Sequence, residues 1–171
     1  MVRTNVTDSG EMGRRKVRSE PSVSAFEMPG HLLRRCHQIA VGIFLEECRP
    51  HDLTPLQFVA LATLSEKGPM DQAALGRVAA LDRTTSATII RALAERGLVT
   101  RAQSQKDKRS KVVTLTNSGR DLLANVRADI ETAQERIVSP LSMRERDQLN
   151  RLLEKVAVAN NEFSRAPQFD C

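Results

Sequence analysis

Two short helical segments followed at once by two β-branched runs constrain the fold of this 171-residue chain most strongly. Asp71 and Asp82 each precede one of the helical segments, "QAALGRVAAL" and "RTTSATIIRALAER", and aspartate at such a position caps a helix N-terminus. The runs "LVTRA" and "KVVTLT" then predict two strands around a charged tip. The order indicates a helix-turn-helix followed by a β-hairpin wing.

Further helices are predicted on both sides of this unit. A first helix over residues 29–48 carries apolar residues three and four apart, and "TPLQ" at 54–57 is a capping box that opens a second. Thr116 can cap a long fifth helix, and "SMRE" at 142–145 opens a sixth. We expect a mainly α fold with a small β-hairpin, in which a winged helix-turn-helix DNA-binding lobe joins a helical dimerisation lobe.

The same pattern divides the chain into regions. Residues 1–25 are predicted to be a flexible basic arm, residues 26–163 a single domain, and residues 164–171 a frayed tail. The arm is expected to be a solvated tail, and the alternative is an arm that contacts DNA. The fifth helix repeats apolar residues with coiled-coil spacing, which predicts a dimer seam. These residues are Leu123, Val126, Ile130, Ala133 and Ile137.

Composition excludes several classes of protein. No apolar run is long enough to span a bilayer and the N-terminus has no signal-peptide core, so we expect a cytoplasmic protein without a membrane partner. Cys36, Cys48 and Cys171 are odd in number and lack metal-type spacing, which predicts free thiols and no metal or other cofactor. No phosphate-binding glycine loop or nucleophile elbow is present, so we expect no enzyme.

The fourth helix is predicted to separate two kinds of side chain. Apolar residues and one serine would face inward, and short hydroxylated or cationic residues would face outward. On the outward face, hydroxyls can bond phosphates and an arginine can reach a guanine edge. The inward set is Ser86, Ile89, Ile90 and Leu93. The predicted DNA-contacting set is Arg83, Thr84, Thr85, Thr88 and Arg91.

The hairpin tip concentrates positive charge in a chain of net charge +5 and pI near 9.6. The cations around Asp107 are Arg101, Lys106, Lys108, Arg109 and Lys111. Such cations repel one another, but beside phosphates they gain free energy through counterion release. Asp107 can pair with Arg109 and aim its guanidinium into a narrow minor groove. The alternative is a solvated hairpin whose charge prevents edge-to-edge aggregation. Beside a helix-turn-helix, the tip favours double-stranded DNA as the partner.

The stretch "LGRVAALDRTTSATIIRALAERGLVTRAQSQKDKRSKVVTLTNSG" resembles the winged helix-turn-helix of the MarR (multiple antibiotic resistance regulator) family. The resemblance lies in "DRTT", in L-x-x-R-G-L-V, and in D-x-R followed by L-T-x-x-G, and the helix order over about residues 30–160 agrees with it. It implies a homodimeric bacterial repressor or activator. The resemblance implies that residues 54–116 bind DNA. It also implies that the first, fifth and sixth helices, residues 29–50 and 117–160, make the dimer, and that a ligand binds between the two lobes.

The first helix, "HLLRRCHQIAVGIF", resembles that of the branch of this family that controls aromatic-acid catabolism. Members of that branch respond to aromatic carboxylates or their coenzyme A thioesters. Arg34, Arg35 and His37 suit an anionic effector, with Phe44 and Phe58 placed to stack on its ring. Alternatively, the three cationic side chains form dimer salt bridges or face solvent.

Two other modes of action compete with an aromatic effector. One is a thiol switch at Cys36, which is predicted to lie on the apolar face of the first helix as a core cysteine would. Peroxide sensors of the family use a helix-one cysteine hydrogen-bonded by tyrosines, and this chain has no tyrosine. The other is an architectural DNA-binding dimer without any effector. The three histidines match no metal-ligand set, and we expect them in packing or surface roles.

Overall fold

A computed structural model of the chain describes residues 24–103 and 110–167. Most of the predicted arm lies outside these ranges, and so does the wing tip with Lys106, Asp107, Lys108 and Arg109. The helices of the described ranges are α1 (Pro29–Glu47), α2 (Pro55–Lys67), α3 (Gln72–Val78), α4 (Arg83–Glu95), α5 (Asn117–Val138) and α6 (Met143–Ala159). The strands there are β1 (Met70–Asp71), β2 (Val99–Gln103) and β3 (Lys111–Leu115). The mainly α winged-helix fold class is confirmed.

The predicted caps form as expected. The Thr54 hydroxyl accepts a hydrogen bond from the Gln57 amide at 3.3 Å, and the Gln57 side chain accepts one from the Thr54 amide at 3.1 Å, which completes the capping box of α2. Asp71 accepts from the Ala74 amide at 2.8 Å to cap α3. Each cap supplies an acceptor for an amide that has no partner inside its helix. The N-terminal boundaries of these helices are therefore fixed by local sequence.

The sheet has one strand more than the predicted hairpin. β2 and β3 pair antiparallel as expected, but β1 also pairs with β3, opposite Met70 and Asp71, so the strand order is β1-β3-β2. β1 contains two residues, which is too short for an alternating pattern to show in the sequence. β3 therefore lies in the centre of the sheet, and Val113 and Leu115 are buried on its inner face.

The predicted dimer seam on α5 is buried within the chain itself. Val126 and Ala133 have no exposed surface and Ile130 is 9% exposed, because α5 packs against α1 and α2. These three seam residues are therefore covered within the chain, whereas Leu123 and Ile137 are only partly buried. Large apolar side chains instead remain exposed on two other helices. They are Leu32, Leu33 and Ile39 on α1, and Leu152, Leu153 and Val156 on α6.

The two described cysteines lie in opposite environments, and their positions differ from the prediction. Cys36 is exposed on α1, whereas Cys48 has no exposed surface and belongs to the core. Burial raises the pKa of the Cys48 thiol, and the negative charges of Asp129 and Glu47 raise this pKa further. Cys48 is therefore a protonated packing residue.

None of the helices in the described ranges is long and apolar enough to cross a membrane. No group of three or more His, Cys, Asp or Glu side chains in residues 24–103 and 110–167 is placed to hold a metal ion.

Gly119 sets how closely α5 approaches the sheet, and this predicts an effect on stability. A Cβ atom at this position would collide with the carbonyl oxygen of Leu98 and would lie 2.6 Å from Leu115 Cδ1. We expect Gly119→Ala to lower the free energy of unfolding by roughly 1–3 kcal/mol through overpacking. Gly30→Ala is the matched control, because nothing lies within 4 Å of a Cβ there. Urea denaturation of the two variants measures the difference, and equal stabilities would contradict the close approach.

Candidate nucleic-acid interface

The two faces of α4 separate as the sequence predicted. Ile90 and Leu93 have no exposed surface, and Ile89 and Ser86 are also buried. The predicted outward side chains Arg83, Thr84, Thr88 and Arg91 are exposed. The inner face lies in the core that α4 shares with α2, α3, α5 and the sheet. The helix is therefore held by its inner face, and a short polar surface with two cations is open to a ligand.

The N-terminus of α4 is held by Asp82. One carboxylate oxygen accepts from the amides of Thr84 and Thr85, each at 3.0 Å, and the other accepts from the Thr85 hydroxyl at 2.6 Å. The hydrogen bonds of Thr85, from its hydroxyl first and then its amide, lower the pKa of Asp82. This stabilisation is complete above the ordinary aspartate pKa and is lost as the pH falls through the lower folded value. At neutral pH the cap is therefore ionised and intact.

Thr85 differs from the other predicted DNA-contacting residues of α4. Its side chain is half-buried, and its hydroxyl proton is used in the bond to Asp82. A phosphate would have to replace that bond to receive the proton of Thr85. The exposed hydroxyls of Thr84 and Thr88 carry no such cost.

The turn between α3 and α4 is tight. Ala80 has a positive φ of 52°, and the Leu81 amide donates to the Gly76 carbonyl oxygen at 2.8 Å. A Cβ on Gly76 would lie 3.1 Å from the Leu81 carbonyl oxygen and 3.3 Å from Ser86 Oγ, so the two helices approach closely at this glycine. The turn fixes the angle at which α4 leaves α3.

Cationic side chains from four parts of the chain surround one concave surface beside this turn. A cavity of about 640 Å³ lies between α3, the start of α4, the start of β3 and residues 165–167. Arg77, Arg83, Lys111 and Arg165 contribute to its lining, together with Asp71 and Asp82. An open hollow with an excess of positive charge attracts phosphate groups.

Sequence reasoning missed two of these cations, Arg77 and Arg165. A helical wheel of α3 starting from its Asp71 cap would have placed Arg77 on the outer face, where it is exposed. No local signal could have found Arg165, because it lies far along the chain in the segment predicted to fray. The tertiary fold alone brings residues 165–167 beside α3 and α4.

A second, shallower hollow runs along the outer face of α4. It has a volume of about 300 Å³ and lies between this face and the N-terminus of α2. Thr84 and Thr88 line it on one side, and Thr54 and Gln57 line it on the other. Helix N-termini attract anions through their partial positive charge. The polar face of α4 is thus flanked on one side by a second helix N-terminus.

The residues predicted to bind an effector fall into two groups. Arg34, Arg35 and His37 are exposed on α1, and Arg34 Nη1 donates to Gln38 Oε1 at 2.9 Å. Phe44 belongs to the core at 4% exposure, with its ring centroid 6.0 Å from that of half-buried Phe58. The aromatic pair thus packs inside the domain, whereas the cationic side chains face outward on the same helix.

The chain was compared with known protein families, sequences and structures. The family described as MarR matches residues 53–111. The HTH-type transcriptional repressor NicR of Pseudomonas putida is 38% identical over 117 residues, which are 68% of this chain and 71% of NicR. The fold is similar to that of BpsR of Bordetella bronchiseptica, with a TM-score of 0.75. The DNA binding of BpsR is regulated by 6-hydroxynicotinic acid. BpsR is 31% identical, and the match covers 79% of this chain and 96% of BpsR.

A structure of the transcriptional repressor CouR bound to a 23-mer DNA duplex has a TM-score of 0.72. It is 30% identical and covers 77% of this chain and 93% of CouR. The winged-helix fold described above is thus shared with transcriptional regulators that are not enzymes. On the sequence similarity together with the fold, the chain belongs to the MarR family of transcriptional regulators.

Proposed function

We propose that the chain is a repressor that binds a pseudo-palindromic DNA operator as a homodimer and leaves it when an aromatic acid binds. The observation that carries this proposal is α4, whose apolar face is buried and whose polar face is open beside the sheet. In this proposal residues 54–116 bind DNA, and residues 29–50 and 117–160 support the dimer. The DNA-bound structure of the relative CouR supports the DNA-binding role.

The proposed contacts divide between α4 and the wing. Thr84, Thr88 and Arg91 enter the major groove, and Arg83 contacts phosphate near the helix N-terminus. The wing residues Lys106, Asp107, Lys108 and Arg109 stay proposed contacts on the strength of their charge pattern. We assign Thr85 to the cap rather than to phosphate, since its hydroxyl already donates to Asp82. Half-site centres are expected about 10–10.5 bp apart.

Arg91 provides the test of base recognition. We expect Arg91→Ala to weaken binding by roughly 1–3 kcal/mol and to relax discrimination at one base position, because the lost guanidinium would no longer reach a base edge. DNA selected from a random pool by the wild type, followed by titration of single-base variants, measures both effects. Arg127→Ala is the matched control, an exposed arginine on α5 outside the interface. An equal loss on every sequence would make Arg91 a phosphate contact, and unchanged binding would remove it from the interface.

Dimerisation is proposed through the apolar faces left exposed on α1 and α6. Leu152, Leu153 and Val156 lie at spacings that place them on one face of α6, a helix without a single buried residue. Contiguous apolar surface of this kind marks protein interfaces, and a second copy would cover it. Burial of the α5 seam by α1 and α2 leaves these faces as the surface open to a partner.

Charged substitutions on α6 test the dimer. Leu153→Glu/Val156→Glu should convert it to monomer at micromolar concentration, because burying two unpaired carboxylates costs more than the contact gains. Light scattering measures the mass. Leu56→Glu is the control, since Leu56 is exposed to a similar degree at 45% but lies on α2. A monomeric wild type, or a double variant that stays dimeric, would contradict this interface.

The effector is proposed to be an aromatic carboxylate or an aryl-coenzyme A thioester. The exposed side chains of Arg34, Arg35 and His37 would bind the anionic group, and the paired rings of Phe44 and Phe58 would receive its aromatic ring. The relationship to BpsR, whose DNA binding is regulated by 6-hydroxynicotinic acid, supports this class of ligand. The alternative thiol switch would have to use Cys36, which is exposed on α1, because burial raises the pKa of the Cys48 thiol and keeps it from oxidants.

A DNA-release titration tests the effector site. We expect a benzoate-, cinnamate- or hydroxynicotinate-type acid, or a corresponding thioester, to weaken operator binding by roughly 5–150-fold. Arg34→Ala/Arg35→Ala should keep the DNA affinity and lose this response, whereas Arg144→Ala, an arginine at the start of α6, should keep both. A double variant that responds like the wild type would exclude these arginines. Release by peroxide alone, and only with Cys36 present, would replace the aromatic effector with a thiol switch.

A further inference from the structure

The short connection between α1 and α2 contacts both the DNA-recognition helix and the long helix α5. The guanidinium of Arg96 donates one hydrogen bond to the carbonyl oxygen of Asp52 at 2.5 Å and a second to that of His51 at 3.0 Å. The ring of the same His51 lies with Nε2 2.7 Å from Asp129 Oδ2 on α5. His51 is thus held through its carbonyl oxygen by Arg96 and through its ring by Asp129.

Arg96 occupies a position suited to this contact. It is the C-cap residue of α4, where a positive charge interacts favourably with the helix dipole. Asp52 has a left-handed φ of 47° at the end of the 3-10 turn Arg49–His51, and this bend presents two successive carbonyl oxygens to one side. A planar guanidinium can serve both oxygens at once.

The connection has little freedom to move on its own. Cys48 at its start has no exposed surface, and Leu53 near its end is 2% exposed. Both side chains belong to the hydrophobic core. A displacement of α5 at Asp129 would therefore act on His51, and through the carbonyl oxygens of the connection on the end of α4.

We propose that Arg96, His51 and Asp129 form a linkage that positions α4 relative to α5, so that Arg96 is a positioning residue for DNA recognition. This inference rests on the proposed function, in which α4 of each protomer enters the major groove. In a dimer the distance between the two recognition helices must match the distance between half-sites. The linkage fixes the C-terminal end of α4, and Asp82 and the tight turn fix its N-terminal end.

A purely structural role would give different behaviour. The Arg96 side chain is exposed and the His51–Asp129 pair is only partly buried, so these contacts contribute modestly to global stability. Loss of stability would lower the active fraction equally for every DNA. Loss of position would instead change which spacing of half-sites is bound best.

The experiment uses full-length protein and the DNA that the wild type selects from a random pool. Two DNAs are compared: that operator and a version with one base pair inserted between the half-sites. The affinity for each is measured for the wild type, Arg96→Met, Asp129→Ala and the double variant. We expect the wild type to prefer the original spacing, and each single variant to bind the original operator about 5–150-fold more weakly. Binding to the lengthened operator should change less, so that spacing discrimination falls.

The double variant separates one linkage from two independent contacts. Because Arg96 and Asp129 act through the same residue, the double variant should bind no more weakly than the weaker single variant. Arg127→Met on α5 is the matched control and should leave both affinities unchanged. Two results would overturn the linkage. One is a double variant whose loss of affinity equals the product of the two single losses, and the other is an equal loss of affinity on both DNAs. A wild type that selects no DNA would instead refute the proposed function.

Discussion

Burial of the inner face of α4 is the constraint on which the rest of this structure depends. Ile90 and Leu93 have no exposed surface, and they share one core with Leu61 of α2, Leu75 of α3 and Val113 of the sheet. A close-packed core holds a helix in one rotational setting, because rotation would replace apolar contacts with voids and buried polar groups. The outward direction of Thr84, Thr88 and Arg91 follows from this packing.

The same packing organises charge over a distance that sequence spacing does not reveal. Arg77, Arg83, Lys111 and Arg165 come from different elements and reach one concave surface. Such an arrangement loses free energy through repulsion in the isolated protein and regains it when phosphates replace the counterions. Part of the chain's positive charge thus lies beside the turn that orients α4.

α5 contacts both the other long helices and the winged unit. One side is an apolar seam packed against α1 and α2, and Asp129 on the same helix pairs with His51. At its start, Gly119 allows the helix to approach Leu98 and Leu115 of the winged unit. A regular heptad-like pattern therefore serves the internal core here, and the exposed apolar faces of α1 and α6 remain for a partner.

The sequence by itself determined where the helices begin, the two strands of the hairpin and the polar face of α4, because caps, turns and periodicity act between residues close in the chain. Thr54, Asp71, Asp82 and Thr116 all cap the helices expected of them. Only the tertiary structure decided that β1 joins the sheet, that the α5 seam is internal, and that Cys48 rather than Cys36 is buried. Periodicity shows that one side of a helix is apolar but not which element packs against it. Contacts such as that of Arg96 with His51 join residues 45 positions apart, which local sequence patterns do not reveal.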